Sequence, residues 1–387
     1  MGGLFLLGFR RFLRLVALGL LPPRGTFARR SARRLAVMLL FLPALGAVQA
    51  IHWLGFLLDE LLFPGYRRVV VERPLFILGV PRSGTTFLHH TLAADTRLTT
   101  FSAWECLFGL SVTARKTVAL AARLDRAVGR PLGRLVGALE RRLLARLDDV
   151  HPMSLSSPEE DYLSLLPIAA CFLLVVPFPS ADWIWRMAAF DRDVPPRERR
   201  RVLAFYRACL QKHLYAHGGG RTLLSKNAAF ASWAGSLREV FPDARFVVCL
   251  RDPIEVVPSQ LSSLEPGMAI FDNHRRSSML AARMLRILRF YYRHLLERLG
   301  DDPQSRLVRL PELAADLEGT VRALYRDLGL EPSAELCAHL RRTSARARSY
   351  RSSHRYDLAA WGLTEESVRR DFGPVWERYP FGAEPRP

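Results

Sequence analysis

The alternation of apolar and polar positions changes rhythm twice along the chain. Leu4 to Leu21 is apolar but interrupted by Arg10, Arg11 and Arg14, and a cluster at Arg29, Arg30, Arg33 and Arg34 follows. Leu35 to Leu58 then carries no ionised side chain, a run long enough for one helical bilayer crossing, with Pro43, Gln49 and His52 inside it. From about Val69 short β-rich runs alternate with helical periodicity, the texture of an α/β domain. Four strands are predicted, at Leu75 to Val80, Thr222 to Ser225, Arg245 to Leu250 and Arg306 to Leu310. Ala114 to His213, between the first two, reads as an Arg-rich helical insertion with Pro-punctuated loops. The expected division is a membrane-associating segment over 1–68 and an α/β domain over 69–387, with the insertion around 114–213.

The N-terminal pattern fits a cleaved signal peptide poorly, because its uninterrupted apolar run begins far from the N-terminus. Eight arginines precede Leu35, so a true crossing would leave the N-terminus in the cytoplasm and the main domain outside. An exported domain usually carries disulfides or glycosylation acceptors, and neither Asn227 nor Asn273 stands in an N-x-Ser/Thr triplet. The expectation is therefore attachment at the cytoplasmic face, with an integral span as the alternative.

Composition narrows the chemistry. The 387 residues are 49% hydrophobic and 24% charged, which excludes a disordered or collagen-like chain and requires a core. A formal charge of +19 points to an anionic partner: a nucleotide, a nucleic acid or a membrane surface. The basic residues are nearly all arginine, the lysines being Lys116, Lys212 and Lys226, a bias suggesting a GC-rich bacterial genome. Cys106, Cys171, Cys209, Cys249 and Cys337 are far apart and read as reduced thiols. No CxxC or HExxH pattern occurs, so no metal is expected.

The most informative segment joins a strand to a helix expected near Phe87, through Gly79-Val80-Pro81-Arg82-Ser83-Gly84-Thr85-Thr86. Glycines let successive N–H groups converge on one oxyanion, the helix N-terminus adds its dipole, and the hydroxyls add donors. Gly79 and Gly84 have Walker A spacing, but Thr85 occupies the lysine position and the cation is Arg82 within the loop. That substitution argues against ordinary ATP hydrolysis.

The run Pro81 to Leu88 resembles the 5′-phosphosulfate loop of sulfotransferases that use 3′-phosphoadenosine 5′-phosphosulfate (PAPS), in their bacterial branch. The resemblance implies that Arg82, Ser83, Gly84, Thr85 and Thr86 bind the donor's 5′ end. It also implies a 3′-phosphate site made of a strand-end Arg and a Ser eight residues on, which Arg251 and Ser259 match. Lys226 matches a lysine of the family, but the histidine that often follows as base is replaced in Ser225-Lys226-Asn227-Ala228. The expected base is then Glu105, whose pKa desolvation beside Trp104 would raise. Catalysis is thus expected from Glu105, Arg82 and Lys226. His151, Glu159 and Glu160 are reserve candidates for acceptor binding, and Glu159, Glu160 and Asp161 look like a first helical turn. His89 and His90 read as packing or surface residues. Similarity extends to Ser352 to Tyr356, where Arg351, His354 or Arg355 could close on the donor.

These observations lead to a P-loop-like three-layer α/β sandwich with a central, mainly parallel sheet and an N-terminal hydrophobic helical segment. Its expected activity is sulfuryl transfer from PAPS to a hydroxyl, the acceptor being a small molecule or lipidic alcohol at a membrane surface, with no nucleic-acid partner. The rivals are a P-loop kinase or NTPase, a non-enzymatic basic protein binding nucleic acid or anionic lipid, and an inactive donor-binding relative.

Overall fold

The computed structural model describes residues 2–144, 154–274, 277–349, 358–379 and 381. Helices α1 (Gly2–Leu20) and α2 (Ala32–Leu62) precede the first strand, β1 (Leu75–Gly79). Next come α3 (Thr85–Leu92), a short strand β2 (Leu98–Thr99), α4 (Ala103–Leu107), α5 (Val112–Ala127) and α6 (Pro131–Leu144). Two 3₁₀ helices, Asp161–Ile168 and Phe172–Val175, lead to α7 (Asp182–Met187), α8 (Phe190–Asp193) and α9 (Pro196–Ala216), so the described part of the expected insertion is helical. The middle of the chain forms β3 (Thr222–Lys226), α10 (Ala234–Val240), β4 (Arg245–Leu250), α11 (Pro253–Ile270), α12 (Ser278–Leu299) and β5 (Ser305–Arg309). Helices α13 (Leu310–Ala315), α14 (Leu317–Asp327), α15 (Ala334–Ser349) and α16 (Glu365–Arg378) complete it.

The five strands are ordered β2-β3-β1-β4-β5 and every pair is parallel. Parallel strands need crossovers that cover both faces of the sheet, and the residues sort accordingly. Leu75, Ile77, Val247 and Cys249 pack with Leu88, Leu313 and Val321 on one side. Their neighbours Phe76, Leu78, Phe246 and Val248 join the larger cluster on the other. Because all strands run the same way, every strand-to-helix turn opens on one edge of the sheet. The crossover reverses sense at β1, since β3 lies on one side of it and β4 on the other, the place where an open α/β sheet offers a crevice.

The four expected strands are present within one residue at each end, and the differences have local causes. Leu310 starts α13 rather than ending β5. Helix α3 begins at Thr85, two residues before Phe87, because Gly84 in the left-handed region (φ 88°) turns the chain directly into it. Strand β2 was not expected, since two residues carry no periodicity.

The N-terminal helices share the larger core cluster with the sheet: Leu15, Met38, Leu42 and Phe56 are buried in it beside Phe76 and Leu78. Polar side chains of α2 face inward. Arg34 donates to Asn273 Oδ1 at 2.7 Å and to the Pro177 and Phe271 carbonyls, and Gln49 donates to the Leu166 carbonyl at 2.7 Å. Asp59 accepts from the Val112 and Thr113 amides and pairs with buried Lys212 at 2.8 Å. Leu40 (79% exposed), Leu54, Leu57 and Leu61 (72%) of the same helix are exposed. The helix is long and apolar enough to cross a membrane.

Candidate active site

The phosphate loop leaves β1 at its C-terminal end. Gly79 is required there because a Cβ would stand 2.5 Å from the Cys249 carbonyl oxygen of the neighbouring strand. Gly84 is required twice, by its φ of 88° and by Leu310 Cδ1, which a Cβ would approach to 2.7 Å. Arg82 also adopts a positive φ, 66°, so the loop bends sharply on both sides of Ser83. Ser83 is fully buried and its hydroxyl donates to the Val80 carbonyl at 2.6 Å, locking the turn. Thr85 is buried at the start of α3 and Thr86 is half-buried.

The second motif arrives from β4. Arg251 follows the strand end, and Asp252 caps α11 by accepting from the Ile254 amide at 2.9 Å, which sets Ser259 in the second turn. Arg82 Nε donates to Ser259 Oγ at 3.0 Å, and Arg251 Nη1 donates to the Arg82 carbonyl at 3.2 Å. The Arg251 side chain also meets Glu255, at 2.6 Å from its Nε, rather than Asp252. Tyr292 of α12 donates to the Arg251 carbonyl, and Trp376 of α16 reaches Asp252 at 3.4 Å. Arg82, Arg251 and Ser259 therefore form one cluster, built where β1 and β4 lie side by side.

Lys226 ends β3 on the other side of β1, in register with Ile77. It is buried and paired with Glu160, which precedes the 3₁₀ helix beginning at Asp161. The acidic run is thus an N-terminal turn as expected, although of a 3₁₀ helix. An antiparallel bridge between Ser102 and Pro158, with the Glu159 amide donating to the Phe101 carbonyl at 2.8 Å, carries the run to this edge. Burial pushes the Glu159 carboxyl above the usual carboxylate range; its bond from the Glu160 amide and the Lys226 charge oppose this, and the Glu160 charge adds to it. Asp161 lies fully buried and rises to about 7, chiefly by desolvation, while accepting from Tyr206 at 2.5 Å.

Glu105 differs from its expectation. It is the third residue of α4, where its Oε2 accepts from the Ser102 amide and hydroxyl at 2.9 and 2.8 Å. Its Oε1 lies 3.0 Å from Arg115 Nε and 2.8 Å from His217 Nε2. Burial alone would raise its pKa, as the sequence suggested. The His217 bond and the Arg115 charge outweigh burial and hold the carboxyl far below the usual range. Glu105, His213 and His217 also bring three ligand-type atoms within 4.8 Å of one another. The buried Arg115 guanidinium already places a positive charge at that point.

His89 is buried against Thr100 (2.7 Å), and exposed His90 is 3.2 Å from the Pro158 carbonyl, matching the packing and surface roles expected of them. Four cysteines are buried free thiols and Cys337 is half-buried. His151, Arg351, His354 and Arg355 lie outside the described residues. The sequence reading missed Arg115, His213 and His217 as partners of Glu105. An HxxxH spacing at the end of α9, from His213 to the C-cap residue His217, was the available signal.

The profile of the Sulfotransferase family matches residues 74–334. This chain belongs to that family. Sulfotransferase relatives include the omega-hydroxy-beta-dihydromenaquinone-9 sulfotransferase Stf3 of Mycobacterium tuberculosis and of Mycobacterium bovis, each 26% identical over 80% of this chain and 76% of the relative. Among solved structures, sulfotransferase STF1 from Mycobacterium tuberculosis H37Rv superposes with a TM-score of 0.72 at 21% identity, covering 95% of this chain and 92% of its own. Sulfotransferase STF9 from Mycobacterium avium does so with 0.72 at 19% identity, covering 100% and 98%. At that identity the superpositions establish the shared fold. Family membership makes the protein a sulfotransferase and excludes the kinase and non-enzymatic readings as the favoured ones.

Proposed function

We propose that this sulfotransferase takes its sulfuryl group from PAPS and delivers it to the hydroxyl of a lipidic alcohol at the cytoplasmic face of a membrane. The observation that carries the donor assignment is the Arg82–Ser259–Arg251 cluster, which joins the 5′ loop to the residues that would hold the 3′-phosphate. Loop amides and Arg82 would bind the 5′-phosphosulfate, with Thr85 and Thr86 at the start of α3. Arg251 and Ser259 would bind the 3′-phosphate, the guanidinium turning from Glu255 towards the more highly charged anion.

When bound, PAPS supplies an activated sulfuryl group whose S–O bond to phosphate breaks as the acceptor oxygen bonds to sulfur. Arg82 and Lys226 would offset the charge developing on the departing phosphate oxygen. Glu159 would take the proton of the acceptor hydroxyl, its raised pKa bringing it closer to working pH than an ordinary glutamate. Glu160 would hold Lys226 in place. In this reading Glu105 is a positioning residue: it fixes α4, to which the acidic run is bridged. The products are adenosine 3′,5′-bisphosphate and a sulfate ester.

Two observations support a lipidic acceptor. The Stf3 relatives are named for a menaquinone derivative. The outward face of α2 is apolar, while its polar residues are bonded to the domain, the arrangement of a helix lying on a bilayer rather than crossing alone. Calorimetric titration with adenosine 3′,5′-bisphosphate, with ATP as control, tests the donor site. Selective binding lost in Arg251→Ala is expected, and a preference for ATP would overturn the reading.

A further inference from the structure

On the side of α12 away from the sheet, a cavity of about 820 Å³ opens between α7, α8, α12 and α16. Eight arginines and three carboxylates line it. Helix α12 alone contributes Arg283, Arg286, Arg289 and Arg293, spaced three or four residues apart and therefore along one face. Like charges at that spacing destabilise a helix by about 0.2–0.5 kcal/mol per pair, and internal pairing does not cancel them. The three lining carboxylates are each engaged by one arginine: Asp193 by Arg192 at 2.7 Å, Asp371 by Arg289 at 3.6 Å and Glu297 by Arg293 at 3.7 Å. Among the described residues no acidic side chain pairs with Arg186, Arg286 or Arg370.

Two arginines of the cleft also lie over aromatic rings, Arg192 in addition to its pair with Asp193 and Arg283 in addition to a 3.7 Å approach to Asp182 outside the lining. The Arg283 guanidinium lies 4.1 Å from the Trp185 ring centroid and Arg192 lies 4.6 Å from that of Phe290. A planar guanidinium fixed on a ring loses less freedom when it forms hydrogen bonds. Arg186 continues the surface into a neighbouring hollow lined by Arg10, Arg11 and Arg14 of α1, beside the exposed Phe5, Phe9 and Leu13. Arg11 itself is spent on Glu198 and the Ile168 carbonyl.

We propose that this cleft is a binding site for a phosphate-bearing anion, separate from the donor site. Arg82, Arg251 and Ser259 are not among the residues lining the cleft, and neither is Tyr292 of α12, which reaches the Arg251 carbonyl. The cavity has room for one or two phosphate groups with their substituents and presents them with forked donors. The phosphate could come from a soluble anion or from a lipid headgroup, and the chemistry of recognition is the same.

The test uses the full chain carrying Arg251→Ala, which removes the arginine of the 3′-phosphate site; the 5′ loop stays the same in every variant compared, so its share of the binding cancels between the cleft and control pairs. Inorganic pyrophosphate is titrated by calorimetry, and sedimentation is measured with phosphatidylcholine vesicles with and without phosphatidylglycerol. Arg286→Glu with Arg370→Glu is compared with Arg341→Glu and Arg342→Glu, the same charge change on exposed positions of α15. For a soluble ligand, the cleft pair weakens pyrophosphate about tenfold or more and the control pair less than about twofold. For a headgroup, the cleft pair alone abolishes the preference for phosphatidylglycerol; the apolar face of α2 contributes equally to both vesicle types. Unless the cleft pair reduces at least one of these readouts more than the control, the proposal fails. In the chain with Arg251 intact, the cleft pair should still bind adenosine 3′,5′-bisphosphate, which keeps failure of this site distinguishable from failure of the donor assignment.

Discussion

Arg82 and Ser259 lie 177 residues apart in sequence and meet at 3.0 Å, Nε to Oγ, across the gap between β1 and α11. The contact ties the loop for one end of the donor to the helix for the other. Removing either side chain should therefore weaken adenosine 3′,5′-bisphosphate, and removing both should cost less than the sum. A double-mutant cycle on Arg82→Ala and Ser259→Ala is expected to show coupling of about 0.5–3 kcal/mol. Strict additivity in titration calorimetry would place the two residues in independent sites.

Glu159→Gln should leave donor binding intact and lower kcat by roughly 10²- to 10⁴-fold, the usual contribution of a general base. The base acts when ionised, so wild-type rate should rise with pH through a value above that of an ordinary glutamate. The variant should lose that limb. Retention of the limb in Glu159→Gln would move the role to another group.

On the proposed reading, Glu105 should govern stability rather than the pH–rate limb. Its folded-state pKa is depressed, so its contribution is present above the unfolded value and lost as pH falls through the folded one. Glu105→Ala leaves Arg115 buried without its counter-charge and should cost about 3–5 kcal/mol. Thermal melts at neutral pH should show this loss, shrinking towards strongly acidic pH. A melt unchanged at neutral pH would contradict the structural role.

The exposed face of α2 should bind neutral vesicles. Replacing Leu40 and Leu61 by Glu should abolish co-sedimentation and leave the melting transition nearly unchanged, since both side chains are largely exposed. Deleting residues 1–68 should instead unfold the protein, because Lys212 would lose Asp59 and the shared core would be opened. Circular dichroism separates the two: a well-folded deletion variant would show that the core does not need α1 and α2.

What could be read from the sequence was what neighbours in sequence decide. Gly79 to Thr86 encode their own turn, because φ at Gly84 is a local matter, although the helix starts at Thr85 and not near Phe87; Arg251 and Ser259 were singled out by the family resemblance, and a strand end with the next helix fixes their spacing. Strands β1 and β4 were legible because burial on both faces leaves nearly continuous apolar runs. Electrostatic partners were not legible. Glu105 beside Trp104 suggested a desolvated base, and only the tertiary structure brought Arg115 and His217 from two other helices to reverse the sign. The Lys226–Glu160 pair and the inward turn of the polar side of α2 have the same origin. A pKa depends on charges within a few ångströms, and those distances are set by packing between segments far apart in the chain.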